Sequence, residues 1–268
     1  MKKTLLSILA LTLLSVCALH AQTKATISGR QEIGMSDSLH RRIMTYNVRH
    51  GEGMDHRLAP DRQAAVINRL APDVVVLQEL DSVTSRVKGR DILNELAEAT
   101  HMHATFARAI PFGGGAYGIG ILSREKPLAV RRIPLPGRDE ARMLLVAEFD
   151  AWCLACIHLS LDEDERIASA DIIRREAART AKPFVVAGDW NDQPGLPFVN
   201  RMDTYFVRLN DGCSPTWPAD KPTDCIDHIA LANNGAAKEA DATGKTIDEP
   251  LASDHRPLYI DLRLWLNR

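Results

Sequence analysis

The sequence predicts an α/β fold of two packed β-sheets with helices on their outer faces. Two observations lead there. Short apolar, β-branched runs such as Asp73–Glu79 (DVVVLQE) and Phe184–Ala187 have the length and composition of strands buried on both faces. In the second half of the chain, strands outnumber helices, so the strict alternation of a doubly wound parallel sheet fits poorly. The 268 residues carry 45% hydrophobic side chains and show no internal repeat or low-complexity segment, as expected of one large domain.

In chain order, Lys2 and Lys3 precede an apolar run from Leu5 to Leu19, and Ala21 offers a small residue before Gln22. That is the pattern of a secretory signal peptide over 1–21, cleaved before Gln22. The run falls short of the roughly 20 residues that a membrane-spanning helix needs. Lipid attachment at Cys17 is the minor alternative, weakened by bulky Val16 before it. The protein is therefore expected to be exported, to the periplasm or beyond. Residues 22–40 read as a polar tail, and 41–268 as the folded domain.

Within that domain, Ile43–Val48 reads as a strand and Arg62–Leu70 as a helix. Asp73–Glu79 follows as a central strand and Asp91–Ala99 as a second helix. Gly113–Gly115 opens a loop before a strand at Gly118–Leu122. Met143–Phe149 and Trp152–Leu159 bracket a turn at Asp150-Ala151. Ser160 begins a helix, with capping-box spacing to Glu163 and an acidic first turn. Phe184–Ala187, Ile226–Ala230 and the alternating Pro257–Leu264 complete the strands.

Charge and cysteine content narrow the function. The formal net charge is −2 and becomes more negative once Lys2 and Lys3 leave, with no basic run. Non-specific nucleic-acid binding usually needs a basic face, so this balance weighs against DNA or RNA. Aromatic residues, 5% of the chain, offer little for stacking on bases. Cys153 and Cys156 lie three apart in one strand, point to opposite faces and read as packed thiols. Cys213 and Cys225 flank a Pro-rich loop; an oxidising compartment allows them to pair, and the sequence leaves that bond open. No cysteine spacing suits zinc.

Polar residues recur at the ends of the apolar strands: Asn47, Glu79, His158, Asp189 with Asn191, Asp227, and Asp254 with His255. Any one of them is more often a loop cap or a satisfied core residue than a catalyst. Gathered together, however, several desolvated carboxylates call for a cation. Oxygen ligands suit Mg²⁺, Mn²⁺ or Ca²⁺.

Seven pieces carry a more specific signal: MTYNVRHG (44–51), VVVLQEL (74–80), YGIGILSR (117–124), CIHLS (156–160), VVAGDWND (185–192), CIDHI (225–229) and SDHRPL (253–258). In this wording and order the chain resembles the endonuclease/exonuclease/phosphatase family, which includes deoxyribonuclease I-like nucleases, neutral sphingomyelinases and inositol polyphosphate 5-phosphatases. The resemblance implies a four-layer α/β/β/α sandwich of two mainly antiparallel sheets flanked by helices, with the site at one end. It implies a Mg²⁺- or Mn²⁺-dependent hydrolase of phosphate esters, read first as a phosphodiesterase. A secreted nuclease is the alternative, and a non-catalytic phosphate-binding module the remote one.

By matching position, Glu79 is the expected metal ligand, with Asn47 orienting it or touching the metal and Asp254 assisting. His255 is the expected base, held by Asp227. Asp189 positions the nucleophile or manages a proton, while Asn191 and His158 contact phosphoryl oxygens, His158 also being a candidate acid. Two departures stand out: Trp190 replaces the usual Phe or Leu before Asn191, and YGIG lacks an Asn after its first glycine. Arg49, His50, His56, Tyr117, Arg142 and Trp217 are rim candidates, each as readily structural; Arg142 is singled out for substrate contact. The expected partner is a phosphate ester: a small molecule, a lipid head group or nucleic acid. The protein is expected to be a monomer with no obligate protein partner.

Overall fold

Alternation along buried strands sets the architecture. In the computed structural model, which describes residues 38–210 and 214–267, Val74 and Val76 face the space between two sheets, while Val75 and Leu77 face helices outside. Val185 and Ala187 likewise face inward, and Phe184 and Val186 outward. Both faces of each strand are covered, which is why the sequence reads as an unbroken apolar run rather than an alternating one. The result is three apolar clusters in four layers: helices, sheet, sheet, helices.

The first sheet contains β1 (Ser38–Asn47), β2 (Val74–Ser82), β3 (His103–Phe112), β4 (Gly115–Ser123), β11 (Ala237–Thr246) and β12 (Leu258–Leu266). Their order is β11-β12-β1-β2-β4-β3. The second contains β5 (Ala129–Leu135), β6 (Arg142–Glu148), β7 (Cys153–His158), β8 (Phe184–Asp189), β9 (Phe206–Arg208) and β10 (Asp227–Ala232), in the order β5-β6-β7-β8-β10-β9. Each sheet holds one parallel pair, β1 with β2 and β7 with β8, amid antiparallel neighbours. Helix α1 (Pro60–Leu70) crosses between the first pair and α3 (Glu163–Ala177) between the second, while α2 (Ile92–Thr100) and α4 (Pro197–Asp203) lie beside them. The two sheets thus repeat one topology, although the sequence carries no visible repeat.

Several local expectations shift. Helix α3 is capped two residues later than Ser160: Asp162 Oδ1 accepts from Glu165 N at 3.0 Å, and Ser160 donates instead to the Glu165 carboxylate at 2.7 Å. Strand β1 starts at Ser38, inside the segment read as tail. Strands β3, β5, β9 and β11 escaped the sequence reading; β3, β5 and β11 are half-exposed and carry charged residues or proline. Cys153 and Cys156 lie in different apolar clusters, on opposite faces of β7. The signal peptide, most of the tail, and Cys213 with its pairing to Cys225 lie outside the described residues. No helix among the described residues is long and apolar enough to cross a membrane.

Two positions beneath the strand ends give measurable consequences. Gly188 has φ +152°, and a Cβ there would stand 2.0 Å from the Ile157 carbonyl oxygen of β7. Backbone rather than a movable side chain is the obstacle, so Gly188→Ala should destabilise the fold by about 2 kcal/mol or more. A lowered urea midpoint with an unchanged m-value tests this; an unchanged midpoint refutes it. His228 is fully buried against Trp190, with Nε2 3.1 Å from the Asp192 carbonyl. Burial lowers its pKa to about 4. Between that value and the unfolded pKa near 6.5, the unfolded chain binds the extra proton, so stability is complete above the window and lost as pH falls through it. Against His228→Leu, the native protein should lose on the order of 1–2 kcal/mol more between pH 7 and pH 5. Parallel urea titrations of the two proteins check this.

Candidate active site

The C-terminal ends of parallel strands point to one edge of a sheet, where ligands of α/β proteins gather. Here both parallel pairs deliver their ends to the same cavity. Asn47 ends β1, Glu79 lies near the end of β2, His158 ends β7 and Asp189 ends β8. Asp227 opens β10 opposite Asp189, and Asp254 with His255 precede β12. Glu79 has φ +58° where β2 slips register against β4 between Leu77 and Leu80. This bulge re-aims a side chain that regular alternation would send elsewhere.

Asn47 is the hub. Its Nδ2 donates to Glu79 Oε1 at 3.0 Å and to Asp189 Oδ2 at 3.2 Å, and lies 3.5 Å from His255 Nε2. Its Oδ1 accepts from Arg49 N at 3.1 Å, so the amide orients Glu79 in this arrangement. His255 Nδ1 donates to Asp227 Oδ2 at 2.9 Å, which leaves Nε2 facing Asp189 Oδ2 at 3.6 Å. The same Asp189 oxygen lies 3.6 Å from His158 Nε2. Asn191, at φ +51°, donates through Nδ2 to the Leu159 carbonyl at 2.8 Å and through its backbone to Asp189 Oδ1 at 2.9 Å. It thereby ties the loop after β7 to the loop after β8. Asp254 lines the cavity with Oδ2 3.8 Å from Arg49 Nε.

Burial and mutual charge set the protonation. Burial disfavours a charged His255, but the carboxylates of Asp227 and Asp189 outweigh it and raise the ring's pKa. Asp189 is itself raised, chiefly by burial. His158 is driven well below its ordinary value by burial, with Arg142 and His255 adding to the effect, and is therefore neutral. Burial also raises Glu79, against the hydrogen bond from Asn47.

These features fit a divalent cation. Among the described residues Glu79 accepts one side-chain hydrogen bond, from a neutral amide, while the negative charge of Asp254 raises it further. Six carboxylates line the cavity against three guanidinium groups. Ligand atoms of Asp189, Asp227 and His255 also lie within 4.8 Å of one another. Because Asp227 and His255 already bind each other, that trio is better satisfied as a hydrogen-bonded base than as a metal cage. Glu79 is the donor left without a positive partner, and Asp254 has only the distant guanidinium of Arg49 at 3.8 Å.

The cavity measures about 760 Å³. Of the rim candidates, Tyr117, Arg142 and Trp217 line it. Arg142 is buried, pairs with Glu140 at 2.9 Å and keeps an unpartnered Nε. Arg49 and His50 pair with Glu52, each at 3.7 Å, Arg49 also reaching Asp254, and His56 is an exposed partner of the Glu52 carboxylate. Trp190 is fully buried against Phe198, as an inward apolar position requires. Arg86, Glu140, Arg166, Gln193 and Asp224 also line the cavity. The sequence carried no signal for them, because they stand in loops or on a helix, outside the strand-end pattern.

Comparison with known proteins agrees with the motifs and the two-sheet architecture. The model of the Endonuclease/Exonuclease/phosphatase family matches residues 44–255. No curated protein matches the sequence. Among solved structures, an endonuclease/exonuclease/phosphatase from Beutenbergia cavernae is similar at 25% identity and TM-score 0.67, over 84% of this chain and 72% of that one. The mannosyl-6-phosphatase Bt3783 of Bacteroides thetaiotaomicron shares the fold at 15% identity and TM-score 0.67, over 82% and 98%. TDP2 of D. rerio, solved with a single-strand DNA product, does so at 19% identity and TM-score 0.64, over 84% and 98%. With the motifs, the two-sheet architecture and the matched span in agreement, the chain belongs to the Endonuclease/Exonuclease/phosphatase family of phosphoester hydrolases.

Proposed function

We propose that this protein is an exported, Mg²⁺- or Mn²⁺-dependent phosphodiesterase that hydrolyses its substrate by in-line attack of water on phosphorus. The observation that carries the reading is His255, whose Nδ1 is fixed by Asp227 at 2.9 Å so that Nε2 faces the cavity beside Asp189 and Asn47. A ring held in this way presents one nitrogen for proton transfer. In this reading Nε2 of His255 takes the proton of the attacking water, and Asp227 stabilises the ring as it becomes charged. Asp189, 3.6 Å from that nitrogen, orients the water.

Glu79 and Asp254 would hold the cation, with Asn47 orienting Glu79. When bound, the cation supplies positive charge that neutralises phosphoryl oxygens and lowers the proton affinity of His255. His158 was expected either to contact phosphoryl oxygens or to act as acid. Its neutral ring favours the first role, donating an N–H to a phosphoryl oxygen. Asn191 joins the same wall, although its Nδ2 is engaged by Leu159. Arg142 offers a buried guanidinium to the substrate anion. Fold alone does not choose among substrates, as a sugar phosphatase and a DNA-bound enzyme share it.

His255→Ala and Glu79→Ala should each lower metal-dependent turnover of bis-p-nitrophenyl phosphate by about 10²–10⁴-fold. Removal of divalent metal with EDTA should abolish turnover in the native protein, and added Mg²⁺ or Mn²⁺ should restore it. Unchanged turnover in either variant would overturn the assignment. Equal melting temperatures of native and variant proteins would show that the loss is chemical rather than structural.

A further inference from the structure

The mouth of the cavity contains a structure that the catalytic roles do not use. Trp217 and Asp224 are directly opposed in an isolated antiparallel bridge. Opposed residues of such a pair project their side chains to the same face, within about 5.5 Å at Cβ, and both line the cavity. The hairpin is tightly closed. Thr216 N and Trp217 N donate to the Asp224 carbonyl at 2.8 and 3.1 Å, and Asp224 N donates back to Trp217 at 2.8 Å. It is also fastened to the catalytic segment. Ala219 N donates to the Asp254 carbonyl at 2.7 Å, and Arg256 N donates to the Thr216 carbonyl at 2.8 Å. Trp217 nevertheless keeps 39% of its surface exposed, whereas Trp152 and Trp190 are completely buried.

We propose that Trp217, Asp224 and Gln193 form the binding platform for the alcohol side of the substrate, and that this alcohol is an uncharged polyhydroxylated ring, a sugar or cyclitol. The inference rests on the phosphoester reading above and adds the chemical class of its substrate. An indole face beside a carboxylate matches a ring that offers apolar C–H on one side and hydroxyl groups at its edge. Gln193 Nε2 donates to Asp224 Oδ1 at 3.1 Å, which leaves Asp224 Oδ2 and the Gln193 carbonyl as acceptors for hydroxyls. Glu140 adds another carboxylate to the lining.

Charge argues against a nucleic-acid strand. Each guanidinium in the cavity has a carboxylate partner, Arg86 with Asp81 at 2.7 Å, Arg142 with Glu140 at 2.9 Å and Arg166 with Asp192 at 3.6 Å, and the unpartnered Nε of Arg142 is taken up by the cleaved phosphate in the reading above. No lysine lines the wall. The phosphates flanking the cleaved one in a strand would meet carboxylates without a free countercharge. A neutral ring needs none.

The test is calorimetric titration of glucose 6-phosphate, thymidine 5′-monophosphate and inorganic phosphate into the native protein in magnesium buffer. Glucose 6-phosphate should bind about tenfold more tightly than the other two. Trp217→Ala and Asp224→Asn should each erase that advantage, and Trp217→Phe should retain most of it. Equal affinities, tighter binding of the thymidylate, or an advantage that survives both variants would overturn the proposal. Turnover of bis-p-nitrophenyl phosphate by the same sample separates the two readings. Turnover without a sugar-phosphate preference sinks the polyol inference alone. A preference without turnover sinks the hydrolase reading and leaves the platform standing.

Discussion

One amide group joins the two halves of the molecule. Asn47, from the first sheet, donates to Glu79 of its own sheet and to Asp189 of the other, while His255 stands within 3.5 Å. Both carboxylates share this one amide, and each has its pKa raised chiefly by desolvation. A donor between them, with the His255 ring beside Asp189, makes the juxtaposition tolerable. Asp189 has further partners in Asn191 N, His158 and His255, whereas Glu79 accepts no other side-chain hydrogen bond among the described residues.

The repeated topology explains why the compensation is needed there. Each sheet contributes a parallel β-α-β pair, and each pair ends in two polar residues: Asn47 and Glu79 from one, His158 and Asp189 from the other. Packing the sheets face to face over a shared apolar cluster brings the two sets of strand ends together. The helices α1 and α3 fill the same position in each half, on the outer face. The site is thus a product of the sheet interface and belongs to neither half alone. The carboxylates of Glu79 and Asp254 lie on one side of it, and those flanking His255, Asp189 and Asp227, on the other.

Much of this was legible in the chain. DVVVLQE and FVVAG are apolar on both faces, so their burial followed directly, and each catalytic candidate sat at the end of such a run. The four-layer arrangement came from motif resemblance, since alternation alone shows only that both faces are covered. Strands β3, β5 and β11 were hidden because edge strands face water and carry Arg, Lys, Pro and Glu, residues that read as loop. The helix start at Asp162 rather than Ser160 was lost to a competing local bond, Ser160 to Glu165. The cavity wall was the least visible part. Arg86, Arg166, Gln193 and Asp224 are brought together by loops and helix ends, whose meeting is a tertiary event with no local period.

Strand β12 enters the first sheet between β11 and β1, in the interior rather than at an edge. It carries at its N-terminal end the segment bearing Asp254 and His255, to which the hairpin of Trp217 and Asp224 is bonded. The His255 ring therefore meets Asn47 and Asp189 only where the sheet is closed. An interior strand cannot fray as an edge strand does, so the Asp254 carboxylate and the His255 ring are held at their stations by ladders on both sides of β12.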